Sequence, residues 1–218
     1  MPGARSTRAP GRPLPEGRPP MTSPSAAVRT APVPHQRRDL SGFDFVAVDV
    51  ETWNNREGSV CAVGLAVVRG GAVVDEYSAL CRPDGAFGEA DYRHMAANKL
   101  QLGDLYHAQS FADLFETVSA FVGDLPVVAH DAEADAAHLA RACEVAEVAA
   151  PSWEWHCTET IAREVLGLHS SALPDVAAAL GLPRFTLHEA GADARATAGV
   201  LLGLAARAGA VRLGHLPR

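Results

Sequence analysis

The sequence predicts an α/β domain in which helices flank a mixed β-sheet. Three apolar, strand-like segments come first, and shorter strands then alternate with helical segments, which is the order expected of a sheet with antiparallel and parallel neighbours. Gly70-Gly71 joins the second and third segments and predicts a tight hairpin turn, because such turns need positive φ.

Each element follows from a local pattern. β-branched and aromatic residues predict strands at 43–50, 60–68, 72–80, 126–129 and 152–157. Apolar residues recur at helical spacing over 111–121, where Phe111, Leu114 and Phe115 begin the stripe. Further helices are expected from residue 132 onward and over 158–167, 172–180 and 189–208.

The first 40 residues differ from the rest of the chain. They hold nine of the fifteen prolines and seven of the nineteen Lys and Arg residues, so we predict a disordered tail over 1–40. The folded domain is expected over 41–210 and a short C-terminal tail over 211–218. No apolar core follows the arginines, which argues against a signal peptide. An organelle transit peptide and a start at Met21 both stay open.

The domain without this tail is strongly acidic. Positions 41–218 contain 12 basic and 24 acidic residues, a formal balance of −12. That balance argues against a broad basic face for duplex nucleic acid, but it allows a narrow site where metal ions supply the positive charge. The four cysteines lack zinc-like spacing, and no apolar run reaches the length of a membrane span. We therefore expect free thiols, no membrane association and a cytoplasmic location.

Two acids end the first predicted strand. Side chains alternate along a strand, so Asp49 and Glu51 project to the same side, the side that also carries Phe45 and Ala47. Either the strand ends there and both acids reach water, or the two acids are part of a functional site.

Two more acids lie on predicted helices. Asp135 borders an apolar stripe, and Asp193 shares a face with Val200 and Leu204 near the start of the last helix. A buried acid is costly unless it is paired or binds a cation, although a helix N-terminus lowers that cost. Four carboxylates gathered in one place would be hard oxygen ligands for Mg²⁺ or Mn²⁺, and His188 nearby could act as a general base.

Three motifs in order resemble the DEDDh branch of 3′–5′ exonucleases, the DnaQ-like family of the proofreading epsilon subunit of bacterial DNA polymerase III. "DVET" supplies Asp49, Glu51 and Thr52; "AHDAEAD" supplies Asp135; and "HEAGAD" supplies His188 and Asp193. The resemblance covers about Phe43 to Ala206. It implies a ribonuclease-H-like fold with a mixed five-stranded sheet flanked by helices.

The resemblance also implies roles at matching positions. Asp49, Glu51 and Asp193 would hold one Mg²⁺ or Mn²⁺ ion, and Asp49 with Asp135 a second. His188 would deprotonate the attacking water. Thr52 would seat the 3′-terminal nucleotide, and Trp53 either stacks near its base or is a partly buried core residue.

The chain departs from the family pattern in three places. Asp131 replaces an asparagine and adds a carboxylate, while Ala134 replaces a phenylalanine and removes a packing group under the helix. "NKL" stands near residue 98 where His-Gly-Ile is common. Lys99, the only lysine of the chain, is then either a phosphate contact or a surface residue.

The sequence is compatible with three functions. The first is a metal-dependent exonuclease acting on the 3′ end of single-stranded DNA or RNA, with a DNA polymerase or another replication or repair protein as a possible partner. The second is a nuclease-fold binding module with reduced or lost catalysis, which Asp131 and Ala134 keep open. The third, an aspartate-nucleophile phosphatase, requires Asp-x-Asp where this chain has Asp-x-Glu.

Overall fold

The centre of the structure is a six-stranded mixed sheet, seen in a computed structural model that describes residues 39–217. In the order β4-β3-β2-β1-β5-β6, the β1/β2 and β2/β3 pairs are antiparallel and the others are parallel. The strands are β1 Phe45–Thr52, β2 Val60–Arg69, β3 Ala72–Arg82, β4 Gln109–Ser110, β5 Val127–Ala129 and β6 Trp155–Cys157.

The predicted α/β class with a mixed sheet is confirmed, and all five predicted strands are present. The sixth strand, β4, has only two residues and pairs in parallel with the end of β3 at Cys81 and Arg82. Two residues are too few to show the alternation from which a strand is recognised. Gly70 and Gly71 form the predicted hairpin, with φ of 57° and 74°.

Seven α-helices cover the sheet or connect its strands within residues 39–217. Ser110 begins the third of them, and its hydroxyl accepts a hydrogen bond from the backbone N–H of Asp113. Single 3₁₀ turns lie at Gly85–Phe87 and Leu213–His215. The α-helices are α1 Tyr92–Ala97, α2 Leu102–Tyr106, α3 Phe111–Val122, α4 Ala132–Val145, α5 Thr158–Leu166, α6 Leu173–Ala179 and α7 Ala190–Ala208.

The helices expected from residue 111 onward are confirmed, whereas α1 and α2 were not predicted. Each of these two is six residues or fewer, so neither shows a helical repeat of apolar residues. Both lie between β3 and β4. Among the described residues, no helix has the length and apolar character needed to cross a membrane.

Two apolar cores lie on opposite faces of the sheet. Phe45 and Ala47 point toward α5, α6 and α7 and pack with Leu201. Val46 and Val48 point the other way, toward α3 and α4. Burial of such side chains stabilises a fold by about 1.5–3 kcal/mol each. Since α7 covers the Phe45 face, the two acids that continue this face at the end of β1 point toward α7.

The chain ends of the predicted domain differ in how far the structure describes them. The predicted N-terminal tail lies outside the described residues, except for its last two positions. At the other end, Leu216 is buried and belongs to the α7 core. All four cysteines are free thiols; Cys157 is half-buried, and the other three are buried.

Candidate active site

The site begins at the end of β1, where Asp49 and Glu51 lie on one face as the alternation of strand side chains predicts. Glu51 is 9% exposed. Asp49 is half-buried as a residue, but its Oδ2 atom is inaccessible to water. The strand is irregular between Glu51 and Thr52, where its pairing with β2 shifts register. Both acids therefore remain at the edge of the apolar core rather than in open solvent.

The start of α7 lies directly against β2, beside these acids. Gly64 is the β2 neighbour of Asp49, and a Cβ atom at Gly64 would lie 1.9 Å from the carbonyl oxygen of Ala190. Only glycine allows this approach of two backbones. Asp193, in the first turn of α7, is consequently held over the end of β1 with 3% of its surface exposed.

Asp135 reaches the same place from the other side of the sheet. It lies in the first turn of α4, and its Oδ1 atom accepts a hydrogen bond of 3.1 Å from the backbone N–H of Val50. Val50 separates the two acids of β1. The positive end of the α4 dipole favours a negative charge at this position.

His188 lies in the loop before α7, and its side chain is exposed. Its backbone has a φ of 60°, and its N–H donates a hydrogen bond of 2.7 Å to Oδ2 of Asp193. One ligand atom from each of Glu51, His188 and Asp193 lies within 4.8 Å of the other two. The five predicted catalytic residues thus come together from three separate parts of the chain.

Burial raises the pKa of every acid in this cluster, and repulsion from other carboxylates of the cluster adds to the shift at Asp49, Glu51 and Asp135. Burial, followed by repulsion from the other three carboxylates, raises the pKa of Asp49 well above its ordinary value. Burial and then Asp193 raise the pKa of Glu51 to about 7. Burial and then Asp131 raise the pKa of Asp135 to about 8. Burial also raises the pKa of Asp193, although the His188 N–H opposes that shift.

The cluster fits a divalent metal ion. Asp49 Oδ2 and Asp193 Oδ1 are buried and have no hydrogen-bond partner among the described residues. Unpartnered buried carboxylate oxygens are costly in a folded protein, and a bound cation removes that cost. Carboxylate oxygens are the ligands that suit Mg²⁺ or Mn²⁺. The structure therefore contains a possible metal site at Glu51, His188 and Asp193, with Asp49 beside it.

The raised pKa values predict an unusual pH dependence for the metal-free protein. Glu51 and Asp135 hold protons in the folded state at pH values where the unfolded chain has lost them, that is, above their ordinary pKa values of 4.5 and 3.8. The free energy of unfolding should fall as pH rises through this window and level off above about pH 8. Tm in chelator should drop by at least about 5 °C between about pH 5 and about pH 8.

Two comparisons check this expectation. Glu51→Gln should flatten the decline of Tm with pH, because the glutamine does not titrate. Mn²⁺ should raise Tm more at about pH 8 than at about pH 5, since protons compete with the metal for the same oxygens. Equal stabilisation by Mn²⁺ at both pH values would contradict the assignment of this cluster as the metal site.

Thr52 and Trp53 follow the acids but have different surroundings. The carbonyl oxygen of Thr52 accepts a hydrogen bond of 2.9 Å from the side chain of Asn98. Trp53 is half-buried, packs against the cluster of Met95 and Leu105, and has no partner for its indole N–H among the described residues. It also lines a cavity of about 780 Å³ that contains none of the four acids. A nucleotide contact by either residue remains a prediction.

The departures in the second motif lie on the surface. Asp131 precedes α4 and is exposed, so its extra carboxylate is solvated while it still raises the pKa of Asp135. Ala134 is exposed as well. The sequence predicts that Ala134, in place of phenylalanine, removes a packing group under the helix. This prediction was wrong, because position 134 faces outward on α4 and the small side chain leaves no buried gap there.

Gly64 and Asn98 help to position the site, but neither was predicted from the sequence to do so. Gly64 interrupts a run of apolar strand residues, and a lone glycine in a strand is a known signal of close backbone approach. Asn98 is 7% exposed and caps the end of α1. It carried no comparable signal, because α1 itself was not recognised.

Known proteins resemble this chain in sequence and in fold. The sequence profile of the family described as Exonuclease (RNase_T) matches residues 46–201. A PolC-type DNA polymerase III from Thermotoga maritima is 30% identical over 162 residues, which is 72% of this chain but only 12% of that protein. The chain thus spans a small part of this relative.

Two solved structures share the fold. Exonuclease X in complex with 5′ overhanging duplex DNA has a TM-score of 0.62 at 21% identity, over 76% of this chain and 93% of that one. The nuclease domain of a 3′ exonuclease of the DEDDh family, bound to rAMP, has a TM-score of 0.58 at 9% identity, over 78% and 92%. The predicted ribonuclease-H-like fold is confirmed, with six strands instead of five. Because the family profile matches more than half of the sequence, the chain belongs to the exonuclease family, in its DnaQ-like group.

Proposed function

We propose that this protein is a metal-dependent 3′–5′ exonuclease that hydrolyses the terminal phosphodiester bond of single-stranded DNA or RNA and releases nucleoside monophosphates. One observation supports this above all. Four carboxylates from β1, α4 and α7 lie close together beside an exposed histidine, and two of their oxygen atoms are buried without a hydrogen-bond partner within residues 39–217. Bound cations would supply the positive charge that a phosphate needs at this acidic cluster.

The metal ligands are assigned from the positions that match the motifs of the family. Asp49, Glu51 and Asp193 would hold one Mg²⁺ or Mn²⁺ ion, and Asp49 with Asp135 a second. Two bound ions would polarise the phosphodiester and stabilise the charge that develops on the attacking and leaving oxygens. The hydrogen bond from Val50 fixes one oxygen of Asp135, so the other oxygen remains available as a ligand.

His188 is suited to remove a proton from the attacking water. Its imidazole is exposed, whereas its backbone is fixed to Asp193, so the ring lies at the mouth of the cluster where a water molecule can reach it. As the water oxygen bonds to phosphorus, its proton passes to His188 and the bond from phosphorus to the 3′ oxygen of the penultimate nucleotide breaks. That oxygen takes a proton from solvent and becomes the new 3′-hydroxyl group. Thr52 and Trp53, next along the chain, would seat the terminal nucleotide.

The partner is also part of this proposal. The likeness to a segment of a PolC-type DNA polymerase III favours a replication or repair polymerase as the protein with which the domain acts. The basic composition of residues 1–40 would add loose contact with nucleic acid.

Digestion of 5′-labelled single-stranded DNA and RNA tests the proposal. With Mg²⁺ or Mn²⁺ we expect a ladder that shortens from the 3′ end, and no shortening in chelator. An oligonucleotide with a blocked 3′ end is the matched control and should persist. Metal-dependent binding without cleavage would instead indicate a nuclease-fold binding module.

Substitution of His188 tests its role separately. His188→Gln should lower kcat by about 100-fold or more, the usual contribution of a general base, while most of the rise in Tm on addition of Mn²⁺ remains. Loss of that rise to the same extent as in a carboxylate variant would show His188 to be chiefly a ligand. Unchanged kcat would remove it from the mechanism.

A further inference from the structure

Lys99 joins two parts of the site that are distant in sequence. It is the only lysine of the chain and follows α1 with a φ of 56°, in the left-handed region. Non-glycine residues adopt this conformation rarely, and mostly where the surroundings require it. Here the conformation follows the end of the helix, and the side chain of Lys99 reaches the loop that carries His188.

One end of this connection is fixed to β1. Asn98, directly before Lys99, is buried and donates its side-chain N–H to the carbonyl oxygen of Thr52 at 2.9 Å. Thr52 comes directly after Glu51, so Asn98 ties α1 to the strand end that carries the catalytic acids. The position of Lys99 is therefore set relative to the metal cluster.

At the other end of this connection, the Lys99 side chain contacts the loop that carries His188. Lys99 Nζ donates a hydrogen bond of 3.2 Å to the carbonyl oxygen of Leu187 and lies 3.5 Å from Oε1 of Glu189. These are the residues on either side of His188. The backbone N–H of His188 is at the same time bound to Asp193. The loop is thus bound on its buried side by Asp193 and on its exposed side by Lys99.

We propose that Lys99, anchored by Asn98, is a positioning residue that fixes the backbone around His188 and so aims its imidazole at the attacking water. The inference rests on the proposed function for the role of His188. A charged donor to a main-chain carbonyl is stronger than a neutral one. The ion pair with Glu189 is about half exposed, which makes the contact weak in stability but sufficient to bias the loop.

Kinetics provide the first test. Lys99→Met should lower kcat by about five-fold with KM changed by less than about two-fold, as expected for one exposed contact. Lys99→Arg should restore kcat, because the guanidinium can reach the same carbonyl. Arg93→Met is the charge control. It removes one positive charge from α1, at a side chain that makes neither of the Lys99 contacts. A rise in KM with unchanged kcat in Lys99→Met would identify a phosphate contact instead and overturn the proposal.

A spectroscopic test does not depend on activity. Reductive methylation with ¹³C-formaldehyde labels a single lysine side chain in this protein, together with the N-terminal amine, so NMR gives one resonance for Lys99. Glu189→Gln should move this resonance, whereas Glu76→Gln, which breaks the ion pair with Arg195, should not. A Lys99 signal at the same position in wild type and in both variants would overturn the contact between Lys99 and the His188 loop. If the wild-type protein cleaves nothing, the kinetic test fails for every variant, while the resonance still decides whether this contact exists.

Discussion

Asp49→Asn should abolish cleavage and at the same time stabilise the metal-free protein. Cleavage of a labelled oligonucleotide is expected to fall by at least about 1,000-fold, because Asp49 is the acid shared by both proposed metal sites and each bound ion contributes several kcal/mol to the transition state. Tm in chelator at about pH 8 should rise by a few degrees, since the neutral amide removes repulsion within a buried group of acids. Mn²⁺ should no longer raise Tm appreciably.

The matched control is Asp131→Asn. It makes the same chemical change on an exposed side chain and restores the residue common in the family. Cleavage should stay within about three-fold of wild type, as is usual for surface substitutions. Full activity of Asp49→Asn would refute the assignment of the site, and a collapse of both variants would point to a general loss of folding.

The second large effect is expected at Gly64, which carries no functional group. In Gly64→Ala the new methyl group would lie 1.9 Å from the Ala190 carbonyl oxygen and 2.4 Å from the backbone nitrogen of Gly191. A backbone atom cannot rotate away as a side chain can, so the start of α7 must move. Overpacking of this kind costs about 3 kcal/mol or more, and Tm should fall by roughly 6–12 °C.

The displacement should also reach the metal cluster, because Asp193 lies in the first turn of α7. Gly64→Ala is therefore expected to lose most of its cleavage and most of the rise in Tm with Mn²⁺, even at temperatures where it is folded. Gly103→Ala is the control, because a Cβ atom there meets nothing within 4 Å. A Gly64→Ala protein with wild-type Tm and activity would show that the contact between β2 and α7 does not set the geometry of the site.

Much of the fold and the site could be predicted because the relevant patterns are local. Long elements show a pattern over many residues, which is a helical repeat in α7 and a continuous apolar run in β2. The acids stand at recognisable positions in short motifs. Short elements carry no such repeat, so β4, α1 and α2 were missed. Asn98 and Lys99 were consequently interpreted only as a departure from a motif, whereas Asn98 contacts Thr52 and Lys99 contacts the His188 loop.

The contact between Gly64 and Ala190 has a consequence for how this domain can change over evolutionary time. The separation between β2 and the start of α7 is set at Gly64 by main-chain atoms of Ala190 and Gly191, so it does not depend on the rotamer of a side chain at that contact. Substitutions in the surrounding core can alter packing without altering that separation. We therefore expect the positions of the acids to tolerate substitutions in the core, whereas the exposed loops that would contact the substrate are free to diverge.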